Sequence, residues 1–205
     1  MTMLRSLLAW IALCAGASAA NPFLNAPDDK PVSAKFKGAE WGDEIGPKDL
    51  PLGARVVTTR VVQMPWGAVF RITFEDIASR ARPRRVLPPL YFIATDDEIA
   101  LLNEEKPDEA IRNLSALGKP PAFEPGDIYG VSQGTRKHED GVLAESTIAV
   151  KGDRCTYQWS HNSGHFTTVV WKKGVGLIEY AQGRGAHADG YRLTREAASA
   201  SKSKR

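Results

Sequence analysis

The chain has 205 residues, 42% of them hydrophobic and 25% charged, with a formal net charge of +3. Such fractions belong to an ordinary globular protein and exclude wholesale disorder. So slight a charge gives no basis for a nucleic-acid partner, which would call for a strongly basic surface.

The first twenty residues, MTMLRSLLAWIALCAGASAA, predict a signal peptide. Arg5 precedes an apolar run from Leu7 to Ala15, and both Ala17-Ser18-Ala19 and Ser18-Ala19-Ala20 offer the small-x-small pattern read by signal peptidase. Cleavage near Ala19–Asn21 would start the mature chain at Asn21-Pro22. Lipid attachment at Cys14 would need a small residue before it, and Leu13 stands there. The apolar run is too short for a permanent transmembrane helix, and no later stretch approaches the length required. The expectation is a soluble exported protein of the periplasm or the medium. Arg5 is the only charge in the segment, so its loss takes the net charge from +3 to +2. Cys14 leaves with it, and Cys155 alone cannot form an intramolecular disulfide.

Residues 21–52 are rich in Pro, Gly, Asp and Lys without sustained periodicity and read as an extended lead-in pinned by Phe36 and Trp41. A single β-rich domain is expected over 53–195. ARVVTTRVVQ and AVFRITFE flank a turn at Met64-Pro65-Trp66-Gly67, and LYFIA and EIALLN flank Thr95-Asp96-Asp97, so each pair predicts a hairpin. KPDEAIRNLSALG predicts one short helix over about 108–117, with Pro107 and acids at its start and Gly118 at its stop. PPAFEPGDIYG reads as a loop. STIAVKG, CTYQWS, HFTTVVWKK, GLIEYAQ and YRLTR then read as a meander of strands. Residues 196–205 form a basic tail without an apolar face, expected to be disordered. The fold class is mostly β, an antiparallel meander forming one β-sandwich or a partly open barrel-like sheet.

The stretch CTYQWSHNSGHFTTVVW carries the most local information. Asn162-Ser163-Gly164 suits a three-residue hairpin loop with Gly164 in the left-handed position. His161 then faces His165, and the constant sum of paired positions sets Trp159 opposite Thr167, Tyr157 opposite Val169 and Cys155 opposite Trp171. One face becomes Cys155, Tyr157, Trp159, Val169 and Trp171, a core face. The other carries Thr156, Gln158, Ser160 and Thr168, with Phe166 and Val170 less polar than that face should be. Cys155 is therefore expected to be a buried structural thiol.

Two histidines at the rim of the core face would lie about 5 Å apart at Cβ. They could supply half of a zinc or copper site, with His187 and Asp189, or His138-Glu139-Asp140, completing it. No H-E-x-x-H helix, cysteine pair or G-x-S-x-G elbow accompanies them. In YAQGRGAHADGYRL a strand follows the glycines where a phosphate-binding loop needs a helix N-terminus, so a hairpin loop carrying Arg184, His187 and Asp189 is expected. SRARPRRVLPP concentrates Arg80, Arg82, Arg84 and Arg85, suited either to anionic envelope material or to a solvated loop, and the solvated loop is favoured.

The function expected from these residues is a non-catalytic binding protein of the cell envelope, with a protein, glycan or lipid partner. Its contact region is the sheet end bearing His161, Asn162, His165, Arg184 and His187. The alternative is a metal-binding protein or metal-dependent hydrolase built on His161, His165 and His187, with Asp189.

Overall fold

The computed structural model describes residues 21–24, 30–46, 48–102, 106–122, 128–130, 134–141, 143–185 and 189–197. The signal-peptide expectation, His187 and the last eight residues of the tail lie outside them. Among the described residues one sheet of twelve antiparallel strands forms, in the order β6-β5-β4-β3-β2-β1-β12-β11-β10-β9-β8-β7. The strands are β1 Val32–Gly42, β2 Leu50–Met64, β3 Gly67–Ser79, β4 Leu90–Ala94, β5 Glu98–Leu101 and β6 Ile128–Gly130. They continue as β7 Gly134–Asp140, β8 Ala144–Lys151, β9 Arg154–His161, β10 Phe166–Lys172, β11 Gly176–Arg184 and β12 Asp189–Arg195, with α1 at Pro107–Ser115. No helix among the described residues is long and apolar enough to cross a membrane.

Every strand but those at the two ends of this order lies beside its predecessor and successor in the chain, and β1 pairs with β12 to join the chain's two ends. The sheet curls strongly. Only residues 131–133 separate β6 from β7, and so short a link spans at most about 15 Å, although those strands stand at opposite edges. Cα atoms of β6 and β8 accordingly come within 8 Å of one another. Curling places the inward residues of both edges in one core: Phe92 of β4 meets Trp171 of β10 edge-to-face, ring centres 5.3 Å apart.

Alternation decides which residues fill that core. Phe70, Ile72 and Phe74 of β3, Ile148 and Val150 of β8, and Cys155, Tyr157, Val169 and Trp171 of β9 and β10 all point inward and are buried. Asn21–Leu24 closes one end of the curl. Asn21 donates from Nδ2 to the carbonyls of Thr95 and Glu98 at 2.9 and 3.2 Å, the Gly174 N–H donates to the Pro22 carbonyl at 2.9 Å, and Phe23 is fully buried. Helix α1 lies on the outer face, where Ile111 packs with Met64, Val69, Ile93 and Ala100.

Two segments differ from the sequence reading. Within the expected lead-in, Val32–Gly42 is an eleven-residue strand at the middle of the sheet. Gly134–Asp140, which carries His138-Glu139-Asp140 and which the sequence reading assigned to no strand, is the edge strand β7.

Candidate functional site

The hairpin register follows the constant-sum rule at every pair: Thr167 faces Trp159, Val169 faces Tyr157 and Trp171 faces Cys155. Gly164 has φ +86°, and its N–H donates to the His161 carbonyl at 2.9 Å. Only glycine holds that conformation without strain. Cys155 is fully buried, and burial pushes its thiol up to about 12. It is a packed apolar group, not a nucleophile.

At the tip, Ser163 stands between the two histidines. Its backbone N–H donates to His161 Nδ1 at 3.1 Å, so that nitrogen carries a lone pair. The Ser163 hydroxyl must then donate to the same nitrogen, 2.6 Å away, and accept from Nδ1–H of His165 at 2.7 Å. The His161 ring also stacks on Trp159, centres 6.3 Å apart. A Ser–His contact of this length is what general-base activation needs. Here the donor from His165 withdraws electron density from the same oxygen, and all three side chains are on one surface loop. The arrangement locks the hairpin tip. Asn162 donates its N–H to the Leu143 carbonyl at 2.8 Å, which holds the tip to the neighbouring turn.

β11 and β12 bring the second predicted group to the same end of the sheet. Phe166, at the start of β10, pairs with Gly183, and Arg184 pairs with Asp189. Asp189 is not turned to the histidines: its Oδ2 accepts from Arg82 at 3.1 Å. Among the described residues no group of three or more His, Cys, Asp or Glu is placed to hold a metal ion.

The group that sequence reasoning missed lies behind Asp189. Glu40, on β1, points inward and is 0% exposed. It accepts from the Ser79 hydroxyl at 2.6 Å, the Ala81 N–H at 3.1 Å and Arg85 Nη1 at 2.7 Å. Burial, the largest single influence, raises its pKa. The three hydrogen bonds and the Arg85 charge together outweigh burial and hold the carboxyl below its ordinary value. The Arg85 side chain is 8% exposed and sits over the Tyr191 ring, 4.8 Å from its centre. Arg82 reaches Asp189, and Glu44 at 3.3 Å. Of the four arginines in the segment, Arg80 and Arg84 are exposed. Arg82 and Arg85 turn back toward carboxylates at the mouth of the curl; the Arg85 side chain is buried there, against the solvated-loop expectation, whereas Arg82 stays partly exposed.

Arg82, Arg85, Arg184, Gln182, Asp189 and Tyr191 line a pocket of about 310 Å³ at this mouth. Burial raises the Tyr191 hydroxyl pKa, and the charges of Arg85 and Arg184 oppose that rise. Asp189 Oδ1 is buried and accepts no hydrogen bond from the described residues; Arg85 Nη2 lies 3.9 Å from it. The pocket thus presents guanidinium groups beside the Asp189 carboxylate. The only sequence signal for it was the density of arginines before Leu87, because the partner carboxylates lie far away in the chain. No protein-family model and no curated protein matches this chain.

Proposed function

We propose that this is an exported, non-catalytic binding protein whose ligand carries an anionic group beside a hydroxyl or ammonium donor, as in a sugar acid or a phosphorylated sugar. The observation that carries this reading is the pocket lining, where the guanidinium groups of Arg82, Arg85 and Arg184 surround the Asp189 carboxylate, whose Oδ1 has no donor among the described residues. Guanidinium groups suit carboxylate or phosphate on the same ligand. The pocket volume is at the lower end of that for small-molecule sites. Among the described residues around it, the Ser163 contacts with His161 and His165 are consumed in fixing a hairpin tip rather than in activating a nucleophile. The signal-like first twenty residues support export to the periplasm or the medium, where envelope sugars and their acids are the accessible ligands.

Thermal melts of the mature protein with glucuronate, glucose 6-phosphate and glucose test the reading. The two anionic sugars should raise the melting temperature and glucose should not, and R184A and D189N should lose the shift while still folding. Equal shifts with glucose, or none with either anion, would overturn it.

A further inference from the structure

The outer face of the same sheet end carries a different feature. Trp41, Gly190, Gly183 and Phe166 form one row across β1, β12, β11 and β10, since Trp41 pairs with Gly190, Gly190 with Gly183 and Gly183 with Phe166. Their inward-pointing neighbours, Glu40 and Tyr191, place this row on the outside by alternation. The central pair is glycine for a steric reason. A Cβ on Gly190 would stand 2.5 Å from the Trp41 indole, and one on Gly183 would run into the Phe166 ring. Both rings therefore lie down over bare backbone. Their planes differ by 10° and their centres are 6.3 Å apart. Phe166, which broke the polar pattern of its strand face, is half of this surface.

We infer that the two rings form a binding plate for the flat faces of a β-linked pyranose chain. Four observations favour a sugar. The rings rest side by side on one backbone surface, and an aromatic face so presented meets the C–H face of a pyranose without deep burial. Their centres, 6.3 Å apart, are near enough for successive rings of an extended glycan to touch both. The rim is polar: Asp43, Asp49 and Arg192 border a shallow groove of about 760 Å³ together with the plate, and these are the donors and acceptors that hydroxyl groups need. The patch is also too small and isolated for a protein partner. A stable protein interface covers about 800 Å² on each side, and the exposed large apolar residues described, Val61, Val86, Leu117 and Leu143, include none bordering the groove. β-Linked chains are preferred over α-linked ones because equatorial linkages keep successive ring faces open and the chain straight.

The plate is on the opposite face of the sheet from the Arg82–Asp189 pocket, so it stands or falls independently of the anion reading. The test is calorimetric titration of the mature protein with cellohexaose and chitohexaose, maltohexaose serving as the α-linked control. At least one β-linked hexasaccharide should bind, maltohexaose should not, and W41A or F166A should weaken binding about tenfold, while R184A leaves it unchanged. Absence of β-linked binding, or binding that W41A and F166A leave intact, would overturn the inference. Should either alanine variant fail to fold, saturation-transfer NMR on the parent replaces it: transfer from Trp41 and Phe166 protons to the sugar is required, and its absence refutes the plate.

Discussion

The Glu40–Arg85 pair offers the sharpest test of how the site is built. Glu40 is wholly enclosed and accepts from Ser79, Ala81 and Arg85, so R85A leaves a buried carboxylate without its cation. Breaking a buried pair from one side costs about 3–5 kcal/mol. With a urea m-value of about 2 kcal/mol/M, the midpoint should fall by about 1.5–2.5 M. E40Q should cost less, about 1–3 kcal/mol, because Gln still accepts hydrogen bonds and Arg85 retains the Tyr191 ring and the more distant Asp189 carboxylate. The double variant E40Q/R85M should be more stable than R85A alone, since no stranded charge remains. The pH dependence has a definite sign. Glu40 titrates below its ordinary value in the folded protein. Its contribution is therefore complete above the unfolded glutamate pKa of about 4.3 and drains away as pH falls through the lowered folded value. The stability gap between parent and E40Q should be flat from neutral pH down to about 5 and narrow below about 4. Urea titrations of the four proteins across that range decide the matter. An R85A cost under about 1 kcal/mol, or a gap that widens in acid, would refute the network as described.

Three further outcomes are expected. Cys155 should resist a thiol reagent in the native protein at pH 8 and react stoichiometrically once unfolded, because burial holds its thiol near 12; rapid native labelling would contradict its place in the core. G190A should force the Trp41 indole off the sheet and cost about 1–3 kcal/mol, seen as a lower melting temperature with a shifted tryptophan emission. In imidazole nitrogen NMR, neutral His161 should carry its proton on Nε2 and neutral His165 on Nδ1. S163A should abolish this difference while changing stability by less than about 0.5 kcal/mol.

The hairpin from Cys155 to Trp171 was legible because two independent signals agreed: a turn that glycine closes, and alternation that sorts better in the observed register than in one shifted by a residue. β1 was hidden by its own chemistry. Over VSAKFKGAEWG the inward positions include Glu40, so the polar residue that matters most erased the period that would have disclosed a strand. β7 was missed for a different reason. GTRKHED has no apolar residue to alternate, as suits an edge that charged side chains protect from pairing with other molecules. The Arg82–Asp189 contact spans 107 residues, and no local pattern reports a partner that distant. Phe166 was the one visible clue to the aromatic plate, an exception on a polar face whose meaning depended on two glycines in other strands.

The pairing of β1 with β12 gives the molecule a seam. Every other ladder stitches a strand to its chain neighbour, whereas Glu40 and Tyr191 meet across 151 residues. The two halves, β1–β6 and β7–β12, can each zip up locally, but closing the seam bears the loop-closure entropy of nearly the whole chain. Both proposed binding surfaces straddle it: Trp41 and Phe166 come from opposite halves, as do Arg82 and Asp189. A bound ligand would act as a clasp across the latest-forming join, so occupancy should show itself first as slower unfolding.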